Sequence, residues 1–327
     1  MSSNSANTTV LSVVVPMYNE ADNVGEFYAQ VKTVLERLGE PWEIVCVNDG
    51  SSDATLAQLV ALHHVDARVK VINFSRNFGK EIALTAGIDH ACGQAIIPID
   101  ADLQDPPELI AELVAKWREG YDVVNATRRS RQGESWMKRI TARAFYRVLE
   151  NMAEIPIPRN TGDFRLLARP AVDALKRLPE RTRFMKGLFA WVGFKQATVL
   201  YDRHPRHAGQ TKWNYWRLWN FAIGGIVSFS SAPLKIWSYF GLGIAALAFL
   251  YALFLVGRTM LYGIEMPGYA SLMVAVLFMG GIQLITLGVL GEYLGRIYDE
   301  TKRRPLYLVR DYFGIESSRD LNRDARD

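Results

Sequence analysis

The stretch IIPIDADLQDPPELI, residues 96–110, places Asp100, Asp102 and Asp105 directly behind an apolar run and ahead of two prolines. Carboxylates two positions apart in an extended turn can aim at one point. Mg2+ or Mn2+ takes such oxygen ligands and keeps coordination positions open for substrate phosphates. The competing assignment is a helix start, with Asp105 as cap and Pro106 or Pro107 near the first turn. That chemistry accounts for Asp105 and leaves Asp100 and Asp102 over, so a divalent-cation site is expected at those two. An EF-hand does not fit, because prolines stand where its glycine and loop are required.

Such a turn needs elements to hold it. From residue 10 onward apolar, β-branched runs alternate with helical spacing: VLSVVVP (10–16), WEIVCVN (42–48), VKVINF (69–74), AIIPID (95–100) and DVVNA (122–126). Helices are expected over Glu20–Leu38, after Ser52 or Asp53 as cap, from about Gly79 to Ala91, and after Pro106-Pro107. Continuous apolar strands alternating with helices predict an α/β fold, a doubly wound, mostly parallel sheet covered on both faces. Ligands of such sheets bind beyond the carboxyl ends of the strands. The residues there are dense in charge: Tyr18, Asn19 and Glu20; Asn48, Asp49, Ser51 and Asp53; Arg76, Asn77 and Lys80; Asp100, Asp102 and Gln104; then Arg128, Arg129 and Arg131. Neither G-x-G-x-x-G after a strand nor a P-loop occurs, which weakens dinucleotide and P-loop assignments.

The second half differs in composition. Residues 236–256 and 270–290 carry no charged side chain and are long enough to span a bilayer. Basic residues flank both runs, Arg206, Lys212, Arg217 and Lys235 before them and Arg296, Lys302, Arg303 and Arg304 after them. The positive-inside rule then predicts a hairpin of two transmembrane helices, an extracytoplasmic loop at 257–269 and cytoplasmic flanks. Trp213, Tyr215, Trp216 and Trp219, mixed with Lys212 and Arg217, suit an interfacial amphipathic helix within 206–235. The predicted organisation is a disordered tail (1–9), a catalytic domain (10–205), this membrane region, and a cytoplasmic end (291–327). Basic and acidic side chains, 38 against 34, nearly balance, and no nucleic-acid partner is expected. With only two cysteines, Cys46 and Cys92, a disulfide framework is not expected.

In order along the chain, VVVPMYNEADNV, VNDGSSDAT, FSRNFGKEIALTAGIDHA, IDADLQDPPELI, TGDFRLL and RHAGQTKW resemble the family 2, GT-A-fold polyisoprenyl-phosphate glycosyltransferases. The likeness is greatest to the bactoprenol glucosyltransferase branch, with dolichol-phosphate mannosyltransferases as relatives, and covers about residues 10–310. It implies inverting, Mg2+- or Mn2+-dependent transfer of one sugar from a nucleotide diphosphate to a membrane polyprenyl phosphate. By the same resemblance Asp100, Asp102 and Gln104 match the metal motif. Pro16, Tyr18, Glu20 and Asp49 match positions holding base and ribose, joined by Ser51 and Asp53, with Lys80 and Asp100-Ala101-Asp102 also at the donor. Arg128 and Arg139 match positions meeting the lipid phosphate, Lys212 a loop lysine near the phosphates, and Arg165 a phosphate or sugar contact. Asp163 matches an acidic position that orients the acceptor or takes its last proton, the competing assignment being a structural pair with Arg165.

The branch likeness favours UDP-glucose as donor and undecaprenyl phosphate as acceptor. The alternatives are a GDP-mannose-using mannosyltransferase and a non-catalytic nucleotide-sugar-binding membrane protein. It also implies residence in the bacterial plasma membrane, a cytoplasmic catalytic domain with both termini cytoplasmic, and a homo-oligomer, a tetramer being one option. A processive glycan synthase is disfavoured because its Q-x-x-R-W motif is missing.

Overall fold

The computed structural model describes residues 9–129, 161–178, 180, 181, 183, 185–202, 232–262 and 268–315. Arg139, Lys212, the expected interfacial helix, tail residues 1–8 and residues 316–327 lie outside these. The chain divides into two compact units: one carries the sheet and takes back the chain from Arg304 onward, and the other is helical.

In the first unit β1 (Leu11–Met17), β2 (Trp42–Asn48), β3 (Val69–Phe74), β4 (Ala95–Pro98), β5 (Val123–Arg128), β6 (Thr161–Ala168), β7 (Gln196–Tyr201) and β8 (Val309–Phe313) form one sheet. Their order is β7-β5-β6-β4-β1-β2-β3-β8. β1 pairs in parallel with β2 and β4, β2 with β3, and β5 with β7. β6 runs antiparallel to both β4 and β5, and β8 antiparallel to β3. The sheet is therefore mixed. The expected parallel core is present, but an apolar strand does not announce its direction, and β6 lay hidden in the TGDFRLL motif. β8 extends this sheet beyond the expected 10–205 domain, returning the chain to it at Val309–Phe313.

Helices α1 (Ala21–Leu38), α2 (Thr55–Val65), α3 (Lys80–His90), α4 (Leu109–Arg118), α5 (Arg169–Lys176) and α6 (Met185–Trp191) accompany the strands. α1 buries Val24, Phe27, Val31 and Leu35, an i, i+3/i+4 stripe against the sheet. α3 lies so close to β1 that a Cβ on Gly87 would come within 2.2 Å of the Val14 side chain. Only glycine permits that approach.

The chain turns from β1 toward β2 on one side and later places β4 on the other, so the topological switch lies between β1 and β4. Two prolines end the pairing there. The β1–β4 register stops at Val14↔Pro98, with the Ile99 amide still donating to the Val14 carbonyl, so Pro16 stands past the last rung. Pro98 likewise lies past β6, whose register with β4 covers Ala95 and Ile96. Residues without an N–H fit where no partner remains, and the chain beyond them is free to splay into turns.

The helical unit holds α7 (Ala232–Tyr262) and α8 (Tyr269–Thr301), which contact one another and contain the two apolar runs read from the sequence. Their 31 and 33 residues exceed the roughly 20 needed to cross a bilayer. By length and composition Phe278–Thr301 qualifies as a membrane-crossing helix among the described residues. Phe249, Leu250, Phe254, Leu272, Leu284 and Leu287 are all more than half exposed.

Candidate active site

The turns after β1 and β2 are bolted together by their own side chains. Asn19, at φ 54, accepts the Ser52 amide at 2.9 Å, and the Asn19 amide donates to the Ser51 hydroxyl at 3.0 Å. Asp53 accepts the Ala21 amide at 3.2 Å and both the amide and hydroxyl of Thr55, at 3.0 and 2.6 Å. The Glu20 amide donates to the Thr55 hydroxyl, and Glu20 accepts from the Asn23 side chain. Ser51 and Asp53, expected at the donor, thus spend these atoms holding the turns. Burial works against the Asp53 carboxylate, but Thr55 and Ala21 outweigh it and hold it below its ordinary range.

Asp49 is 2% exposed and fastens the third turn. Its oxygens accept the Phe78 amide at 2.6 Å and the Gly79 amide at 3.0 Å, while the Asn77 side chain donates to its carbonyl at 3.2 Å. Gly50, at φ 66, lets the two turns touch: a Cβ there would lie 2.5 Å from the Arg76 carbonyl carbon. Burial pushes the Asp49 carboxyl up, and the two amides and Arg76 pull it partway back. Tyr18 stands 42% exposed at the rim beside these turns.

The acidic turn behind β4 is built differently. Lys80, the first residue of α3, places its ammonium 2.7 Å from Asp100 and 2.7 Å from Asp163 on β6. Nearly half of the lysine side chain is accessible, yet protein crowds its charged end. That crowding disfavours the charge, but Asp100 and Asp163 overcome it and hold Lys80 well above its ordinary range. Crowding also raises Asp100, with Lys80 opposing the shift and Asp163 adding to it. Two carboxylates, one from the turn after β4 and one from β6, therefore converge on one cation. Asp102 is 8% exposed and accepts the Gln104 amide at 3.2 Å. Between them Leu103 has φ 54, a left-handed backbone uncommon for a bulky residue and costing of order 1 kcal/mol or more. Such strain concentrates at functional turns, and no residue type in DADLQ announced it.

Asp105 is not a helix cap. α4 begins at Leu109, and its cap position Glu108 makes no side-chain cap bond. The buried Asp105 carboxylate instead accepts a short hydrogen bond from the Tyr201 hydroxyl and lies 3.5 Å from the Arg128 guanidinium, whose Nε donates to Tyr201 at 3.2 Å. An apolar site this enclosed gives the carboxylate a reason to seek these partners rather than exposed helix amides. Tyr201 is missed by sequence reasoning because its partner lies 96 residues away. Burial works against the charge on Arg128, but Tyr201, Asp105 and Asp100 keep it protonated.

Arg165 is 3% exposed; it donates to the Gly162 carbonyl at 2.7 Å and lies over the Phe189 ring at 4.1 Å. Burial lowers it to about 10, with Asp163 and Glu81 opposing. Asp163 thus pairs with Lys80, and Arg165 feels it at longer range. The structure brings Lys80, Asp100 and Asp163 together and sets Arg128 on the neighbouring strand; Gln104 contributes its amide to the turn.

Over residues 12–176 the sequence matches the Glycosyl transferase family 2 domain, and over residues 232–297 the GtrB C-terminal hairpin. The chain belongs to glycosyltransferase family 2. It is 63% identical over 309 residues to an uncharacterized glycosyltransferase of Synechocystis sp., covering 94% of this chain and 97% of that one. It is 49% identical over 300 residues to the prophage bactoprenol glucosyl transferase homolog of Escherichia coli, covering 92% and 98%. The bactoprenol glucosyl transferase of Shigella phage SfV is 48% identical over 301 residues, again 92% and 98%. A family 2 glycosyltransferase with a mixed GT-A-type α/β sheet accounts for the position of the acidic turn at the switch point. Among the described residues no group of three or more His, Cys, Asp or Glu side chains is arranged for a metal. Two carboxylates suffice for Mg2+ or Mn2+ when water and substrate phosphates supply the remaining ligands. Asp100, which already seats one cation, and Asp102 beside it fit that requirement.

Proposed function

We propose that this enzyme transfers a single sugar, with inversion, from a nucleotide diphosphate to a membrane polyprenyl phosphate. The observation that carries the reading is the convergence of Asp100 and Asp163 on Lys80 at the switch point of the sheet. The names of the bactoprenol relatives favour glucose and a bactoprenol-type carrier, and UDP-glucose is the donor we favour.

In this reading the exposed Tyr18 ring and the turns fastened by Asp49, Ser51 and Asp53 receive the nucleoside; each Asp49 oxygen keeps a lone pair beyond its backbone bond. A divalent cation on Asp100 and Asp102 supplies charge neutralisation to the diphosphate. An acceptor phosphate oxygen bonds to the anomeric carbon on the face opposite the diphosphate. The bond from that carbon to the diphosphate oxygen breaks and its electron pair leaves with the diphosphate. Lys80 and Arg128 stand where positive charge meets the departing and incoming phosphates. The acceptor is largely ionised near neutral pH, its second pKa being about 6 as in a phosphoserine. Asp163 therefore has at most one proton to take, and it otherwise orients Lys80. The exposed apolar surfaces of α7 and α8 suit a lipid environment, so the helices anchor the enzyme as a two-span hairpin in the plasma membrane, with the sheet-bearing unit cytoplasmic.

The test incubates purified full-length protein with undecaprenyl phosphate, Mn2+ or Mg2+, and labelled UDP- and GDP-sugars, followed by lipid extraction. Label in one monoglycosylated lipid is expected, with UDP-glucose the best donor. No labelled lipid from any donor would refute the activity.

A further inference from the structure

The segment that follows α8 reaches the nucleotide turns by two separate routes. One is a ladder of amides across three strands. Asp311 on β8 accepts the Asn73 side-chain amide at 2.7 Å; Asn73 accepts that of Asn48 at 2.8 Å; and the Asn48 oxygen faces the Ser51 amide at 3.4 Å. Ser51 is the residue that holds Asn19, so the ladder ends on the turn after β1. The second route is aromatic. Tyr307 stacks on Phe74 with centroids 5.2 Å apart and planes 18° from parallel, and Phe74 meets Phe78 edge-on at 5.5 Å. The Phe78 amide is one of the two that Asp49 accepts.

Closing the sheet edge would need neither route. The antiparallel backbone pairing of β8 with β3 does that already, and the Ser75 amide donates to the Leu308 carbonyl at 3.0 Å beside it. Asn48 and Asn73 are 1% and 4% exposed, and a buried amide is kept only where its partners are supplied. Asp311 supplies the end of that chain from solvent-facing β8, where its side chain is 46% exposed. Tyr307 comes within six residues of the end of α8.

We propose that Asp311 and Tyr307 are positioning residues for the nucleotide end of the donor site. They act through Asn73–Asn48–Ser51 and through Phe74–Phe78–Asp49, and so make donor affinity depend on the chain segment that leaves the hairpin. The proposal rests on the glycosyltransferase reading above, and its test separates the two.

The experiment uses full-length protein in detergent with UDP and GDP as probes in Mn2+, together with KM values for UDP-glucose and for undecaprenyl phosphate. Asp311→Ala is expected to weaken nucleotide binding and raise the donor KM about 5–10-fold, with the acceptor KM little changed. Asp311→Asn retains an oxygen that can accept the Asn73 amide and is expected to restore most of the affinity. Tyr307→Phe keeps the stack and is expected to bind nucleotide as the parent does, whereas Tyr307→Leu is expected to bind more weakly. Unchanged nucleotide affinity in both Asp311→Ala and Tyr307→Leu would overturn the proposal. So would a loss shared equally by donor and acceptor KM, which marks a merely structural strand. A parent protein that binds neither nucleotide would overturn the glycosyltransferase reading as well.

Discussion

The two rims of the switch-point crevice hold their carboxylates in opposite ways. On the β2 side, Asp49 and Asp53 are fixed by backbone amides of neighbouring turns. On the β4 side, Asp100 and Asp163 converge on a mobile-stemmed ammonium, Lys80. Backbone donors cannot be exchanged for a ligand without unfolding the turn, whereas a lysine can move and surrender its partners. One rim is therefore a prebuilt frame and the other an exchangeable charge. That division suits a donor whose base must be placed in one pose while its diphosphate and cation arrive and leave each turnover.

The largest effect expected from breaking this contrast is on the exchangeable rim. Asp102→Asn keeps an oxygen for the Gln104 amide, so the turn and the thermal midpoint should survive. Transfer should fall about 10²–10³-fold for want of a charged ligand opposite the diphosphate. Transfer within a few-fold of the parent would refute metal ligation by Asp102.

Next in size is the lysine itself. Lys80→Met leaves Asp100 and Asp163 facing each other without the ammonium between them. Free of that competitor on Asp100, the Asp100–Asp102 site should bind Mn2+ about 10-fold more tightly without nucleotide, an effect of roughly 1.4 kcal/mol. A Mn2+ titration followed by thermal midpoint and by the spectrum of free Mn2+ reads this directly. Equal Mn2+ affinity in parent and variant would mean that Lys80 does not compete for these carboxylates, and the exchangeable rim would have to be abandoned.

How much of this was visible beforehand differs between the rims for a physical reason. β1 to β4 were legible because buried parallel strands read as unbroken β-branched runs, and charge after each strand marked the ligand edge. Asp100 and Asp102 stood out because cap chemistry did not consume them. Asp105 misled, since a carboxylate before two prolines looks like a cap. Its true partners, Tyr201 and Arg128, come together only when β5 and β7 pair. The pairing of Asp163 with Lys80 likewise depends on β6 running antiparallel beside β4, a direction that no run of apolar residues encodes. Most distant is Asp311, 238 positions from Asn73, where the helical hairpin separates residues that the sheet makes neighbours.

The smallest test concerns the prebuilt rim alone and turns on the sign of two pKa shifts. Asp53 is held below its ordinary range in the fold. Its contribution is therefore fully present above the unfolded value of about 3.9 and is lost as pH falls through the lower folded value. Asp49 is raised by burial, so between about 3.9 and its raised value the folded protein holds a proton that the unfolded chain has released. Stability from this group is greatest at low pH and declines as pH rises through that window. The two residues thus oppose one another on acidification. Asp53→Asn should flatten the loss of thermal midpoint between about pH 5 and pH 3, and Asp49→Asn should steepen it. Each variant carries an offset at neutral pH, because one amide oxygen replaces two accepting carboxylate oxygens in both turns, and it is larger for the buried Asp49 than for the exposed Asp53. The slope, rather than the offset, reports the shift, and parallel slopes in parent and both variants would show that backbone fixation does not set these carboxyls apart.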